Sequence, residues 1–128
     1  MPKIHYMDNG ILQAVLQKRG GITGNEFESL VIAEMYKQLR AIHAEVKLFH
    51  LRTHDGREVD LILETPDYYL AFEIKTTERV TTSAAKNLRG LEEILDKPLK
   101  RSYILSNDRE TKFLDEKTVA VNAAMYLG

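Results

Sequence analysis

At 128 residues, 44% apolar and 29% charged, the chain has the size and composition of one soluble globular domain with its own core. It contains no cysteine, which excludes disulfides, thiolate zinc sites and thiol nucleophiles. The net charge of -1 excludes a uniformly basic nucleic-acid binder, yet the charge is uneven: residues 1–74 hold 8 Lys/Arg against 11 Asp/Glu, and residues 75–112 hold 9 against 6. A basic stretch beside an acidic one suits a polyanion gripped through metal ions; it also suits ordinary solvated helices and turns.

The opening, MPKIHYMDNGILQAVL, has no apolar run of signal-peptide or membrane-span length, so a cytoplasmic location without a membrane partner is expected. MDNGIL reads as a turn at Asp8, Asn9 and Gly10, ILQAVLQ as a short helix, and KRGGITG as a loop. A long helix is expected from a cap at Asn25 to about His43, with Phe27, Leu30, Val31, Met35, Leu39 and Ile42 at helical spacing. Three strands follow, EVKLFHLRT, REVDLILE and YLAFEIKT, joined by turns at HDGR and TPDY. Thr81 or Thr82 then opens a second helix to about Leu95, RSYILSN forms a fourth strand, and TVAVNAAMYL a final strand or short helix. No repeat or linker interrupts this order, so one unit is expected over 1–128: an N-terminal extension and turn (1–24), a core (25–106) and a C-terminal strand or helix (107–128). The order predicts an α/β sandwich with a mixed sheet covered on both faces.

Three acidic residues stand out against this frame. Alternation in REVDLILE sets Val59, Leu61 and Leu63 on one face and Asp60 with Ile62 and Glu64 on the other. In LAFEIKT, Ala71, Glu73 and Lys75 oppose Leu70, Phe72 and Ile74. A symmetric turn pairs Glu64 with Tyr69, and hence Asp60 with Glu73 on a common face. Like charges opposite each other destabilise a sheet unless a hard divalent cation lies between them. At about 100° per residue, Glu28 falls between Met35 and Leu39 on the apolar stripe of the long helix, so it points toward the meander. Two readings fit: a metal site built from Glu28, Asp60 and Glu73 with Lys75 beside it, or edge residues facing water with Lys75 paired to Glu73. His50 and His54 lie on a strand and its turn, a poor zinc arrangement. Ser83 and Ser102 lack a base, and Tyr68, Tyr69 and Tyr103 suit core and rim.

These elements resemble a known superfamily. Gly24 to Glu28 on a helix, Gly56 to Asp60 on one strand and Glu73-Ile74-Lys75 on the next are similar to the PD-(D/E)XK nucleases, with Val59 where the name motif has proline. KIHYMDNGI, GNEFESLVIAEMYKQL, REVDLILE and AFEIKTT also resemble, over nearly the whole chain, the uncharacterised domain at the C-terminus of many prokaryotic AAA-type ATPases. The resemblance implies a restriction-endonuclease-like three-layer sandwich with an α-β-β-β-α-β core. It implies a Mg²⁺- or Mn²⁺-dependent nuclease acting on nucleic acid, with DNA the expected substrate. Asp60, Glu73 and the Ile74 carbonyl would then hold the metal, Glu28 would complete the outer or second-metal position, and Lys75 would act on the attacking water and the phosphate. The alternative is a non-catalytic module that keeps the fold and binds nucleic acid, an AAA-type ATPase or, as a homodimer, its own copy.

Overall fold

The computed structural model describes residues 23–128. The turn and short helix expected within residues 7–17 lie outside that range, as does most of the glycine loop. Helix α1, Gly24–Ala41, begins one residue before the expected cap. Thr23, with extended backbone, supplies the cap: its hydroxyl accepts the Glu26 N–H at 3.1 Å. His43, in the left-handed region at φ 52, turns the chain out of the helix.

Six strands follow: β1 Lys47–Arg52, β2 Glu58–Glu64, β3 Tyr69–Ile74, β4 Leu99–Ser106, β5 Lys112–Phe113 and β6 Thr118–Asn122. They form one mixed sheet in the order β1-β2-β3-β4-β6-β5, antiparallel at both ends and parallel across β3-β4-β6. TVAVNAAMYL divides between strand and helix. Asn122 ends β6 and caps helix α2, Ala123–Leu127, by accepting the Met125 N–H at 3.2 Å. The core therefore draws on residues 107–128 as well: Val119, Ala123, Ala124 and Leu127 pack with α1.

The sheet is covered on both faces, as the α/β pattern required. On one side Phe27, Val31, Met35 and Leu39 of α1 pack on Leu61, Leu63, Leu70, Phe72, Ile74 and Leu105. Burying each such side chain contributes roughly 1.5–3 kcal/mol. Buried Gln38 donates to the Leu127 carbonyl at 3.0 Å, tying α1 to α2. On the other side Val59, Ile62, Tyr69, Ala71, Ile104 and Ala120 meet Val80, Ala85, Leu88 and Leu91. Tyr69 and Tyr103 are core residues and Tyr68 is half-buried at the rim, under Lys100 at 4.6 Å.

The second covering layer is not the α-helix expected from Thr82 to Leu95. It consists of two 3₁₀ segments, Thr82–Leu88 and Leu91–Glu93. Arg89 is extended and Gly90 left-handed at φ 69, which breaks the turn between them. Ala85 and Leu88, three residues apart, line up along one side of the first segment, and Leu91, re-aimed by the break, joins them against the sheet from the second.

The loops leaving β3 and β4 are fastened together at the C-terminal ends of the parallel strands. Asp108 is 3% exposed, and its carboxylate accepts from the Val80 amide at 2.8 Å, the Glu110 amide at 2.9 Å and Lys112 Nζ at 2.7 Å. The Lys112 contact leads the causes that hold this carboxyl down at about 2. Because that value is depressed, the stability Asp108 contributes is present above its unfolded value of about 3.9 and is lost as pH falls through about 2. We therefore expect Asp108→Ala to lower the melting temperature by several degrees at neutral pH. In acid-melting curves from pH about 5 to about 2, the gap between the two proteins should narrow.

Candidate functional site

The site is built on an irregularity in β2. Phe49 pairs with Ile62 and Leu51 with Val59, so between those pairs one residue of β1, His50, faces two of β2, Asp60 and Leu61. Such a bulge shifts the side-chain alternation by one step. Its effect is visible in the packing: Val59 joins Ile62 in the 3₁₀-side core, while Leu61 joins Leu63 in the α1-side core. The expected common face for Val59, Leu61 and Leu63 is therefore split. Asp60 turns toward α1 instead of sharing a face with Ile62.

Between β2 and β3 the expected register holds, from Glu64↔Tyr69 to Leu61↔Phe72. One step further, Asp60 and Glu73 come level, and here side chains replace the backbone ladder. The Asp60 amide donates to Glu73 Oε1 at 3.1 Å, and the Ile74 amide donates to Asp60 Oδ2 at 2.8 Å. Each strand thus supplies the carboxylate that satisfies the other strand's N–H, which meets the requirement that buried amides be paired. Alternation in β3 puts Phe72 and Ile74 on the α1 side and Glu73 on the other. The expectation that Asp60 and Glu73 project from one face is corrected on this point. They meet through the gap between the strands, because the bulge turns Asp60 and the Glu73 carboxylate reaches sideways.

The charges are poorly settled. Glu73 is 4% exposed, and burial first, then the Asp60 charge, push its carboxyl up to about 7. Its one ion-pair partner among the described residues, Lys75 Nζ, stands 3.8 Å from Glu73 Oε2 and is itself half in solvent. Glu28, half-buried on the first turns of α1, is also pushed up, by burial and by Asp60, while His50 and Lys75 pull it down. Mutual influence therefore links Glu28, Asp60, Glu73 and Lys75, with His50 and Glu58 at the margin.

Among the described residues no group of three or more His, Asp or Glu side chains stands ready to enclose a metal ion. The donors are nonetheless of the type that takes a hard cation. Among the described residues, Asp60 Oδ1 takes no hydrogen bond, and Glu73 Oε2 has only the long contact to Lys75. Two carboxylate oxygens suit an ion that completes its shell with water and phosphate. Ile74 ends β3 between them, its amide committed to Asp60. Sequence reasoning passed over His50 as a member of this group: only the bulge sets it beside Asp60, and the run Leu61-Ile62-Leu63 carries no mark of the shift.

Since the raised Glu73 value means that folding favours the protonated form, the stability it confers is complete below about 4.3 and is lost as pH rises through about 7. Glu73→Gln keeps an oxygen for the Asp60 amide without the charge. Urea melts between pH 4 and 8 should show wild-type stability falling across that window, whereas the variant stays nearly flat and is the more stable at pH 8. A wild-type profile as flat as the variant's would show that Glu73 is not strained.

Residues 23–126 match the family described as a domain of unknown function (DUF4143). Comparison with curated proteins finds no match. The match spans most of the chain, from the Thr23 cap to α2, and includes every residue of the Asp60–Glu73 arrangement: the chain belongs to the DUF4143 family.

Proposed function

We propose that this domain is a Mg²⁺- or Mn²⁺-dependent nuclease that hydrolyses phosphodiester bonds in DNA, built on a restriction-endonuclease-like, PD-(D/E)XK scaffold. The observation that carries the reading is the parting of β2 and β3 around Asp60 and Glu73. A sheet gains nothing from facing two carboxylates across a gap in which, among the described residues, only Glu73 has an ion pair, and that a long one at 3.8 Å. A site for a hard cation and a phosphate gains from that arrangement.

Asp60 and Glu73, with the Ile74 carbonyl, would hold the ion, and Glu28 would stand at its outer side. When bound, a divalent cation lowers the pKa of its water and neutralises charge developing on phosphate oxygens. The chain's own part is positioning. The Ile74 amide fixes Asp60 and the Asp60 amide fixes Glu73, so neither carboxylate must be ordered when substrate arrives. Lys75, half in solvent just past the end of β3, orients the attacking water and donates to a non-bridging phosphate oxygen.

The test has a binding arm and a cleavage arm. Mg²⁺ or Mn²⁺ at millimolar concentration should raise the melting temperature, and Asp60→Asn should abolish that rise. Lys75→Ala should keep it yet cut DNA cleavage roughly a hundredfold to a thousandfold, the usual cost of losing one charge-stabilising group. Wild-type protein that binds nucleic acid salt-sensitively but cleaves no DNA or RNA would instead mark a binding module, of the kind an AAA-type ATPase carries.

A further inference from the structure

Among the described residues, the proposed chemistry so far has a donor on one side of the carboxylate pair only. Lys75 rises from the end of β3; on the β1 side, the group brought level with Asp60 is His50. Its place follows from packing. Leu48 packs with the α1-side core, while Phe49 and Leu51 pack with the opposite one, so alternation turns His50 to the α1 side. That is the side to which the bulge turns Asp60 and from which Glu28 approaches. His50 is exposed and makes no hydrogen bond or ion pair with another described residue, although its charge is felt at Glu28. The neighbouring cation is already engaged: Arg52 is held by Glu58 at 2.6 Å. Besides His50 and Lys75, the described charges that act on Glu28 are those of Asp60 and Glu58, carboxylates that repel a phosphate.

We propose that His50 is a phosphate-binding residue of this site, donating an imidazole N–H to a non-bridging oxygen of the scissile phosphodiester from the side opposite Lys75. The phosphate then lies between a donor on β1 and a donor just past the end of β3, beside Glu28, whose charge both Lys75 and His50 reach. This role involves no proton transfer and no ligation of a metal. It rests on the nuclease reading and extends it to the recognition of substrate.

Cleavage of labelled single-stranded and duplex DNA in Mg²⁺ by wild type, His50→Ala, His50→Gln and Lys75→Ala tests it, with Mg²⁺-dependent melting of each protein in parallel. We expect His50→Ala to lower kcat/KM roughly ten- to a hundredfold, the cost of one hydrogen bond to a charged group. His50→Gln, which keeps an N–H donor, should recover most of that loss. Both variants should retain the wild-type rise in melting temperature with Mg²⁺. Loss of that rise in His50→Ala would make His50 a metal ligand and overturn the assignment. A wild type that cleaves while His50→Ala cleaves equally well would overturn His50 alone and leave the nuclease reading standing. A wild type that cleaves nothing would remove both.

Discussion

The exchange of N–H donors between β2 and β3 is the constraint around which the rest of the molecule is arranged. At one level of the sheet, two backbone amides that would ordinarily bond to facing carbonyls bond to the carboxylates of Asp60 and Glu73. Moving the acceptor from backbone to side chain satisfies both amides, so the strands can part without leaving orphaned donors. The cost is electrostatic: two carboxylates share one small, partly dry volume, and the more buried of them, Glu73, resists ionisation. The arrangement persists because rigid elements fix it on all sides.

Those elements are set out in layers. β3 is buried along its whole length, and β4 along most of it, because α1 and α2 cover one face and the 3₁₀ segments the other. Glu73 therefore sits next to the end of a strand that is packed on both faces. Beyond that end, buried Asp108 fastens the loops after β3 and β4 to each other, and Asn107 adds bonds from its amide and side chain to the Thr77 and Thr76 carbonyls. The exit from β3 that carries Lys75 is thus held at both ends. On the other flank, the β1–β2 bulge decides which side of the sheet Asp60 addresses. Preorganisation of this kind lets a few polar groups act on a charged ligand without rearranging at the moment of contact.

Much of this was legible in the sequence. The three-strand meander, the Glu64↔Tyr69 register and the apolar stripe of α1 follow from period-2 and period-3.6 patterning, which reports on local geometry and burial directly. Asp60, Glu73 and Lys75 stood out because charged residues rarely occupy packed strands without compensation. The sequence by itself therefore determined the run from α1 through the three-strand meander to β4, the buried stripes and the identity of the polar residues that need an explanation. Three features were decided only by tertiary structure. Whether the segment over Ala85, Leu88 and Leu91 winds as one α-helix or as two 3₁₀ pieces broken at Arg89 and Gly90 is not marked by the spacing, since three-residue steps suit both. The two-residue β5 is too short to carry a pattern at all. The face to which Asp60 turns, and with it the place of His50, hangs on a single extra residue in β2, and Leu61-Ile62-Leu63 reads the same in either phase because both faces of the sheet are buried. A pattern can register a shift only where one face is wet, and along Leu61-Ile62-Leu63 neither is.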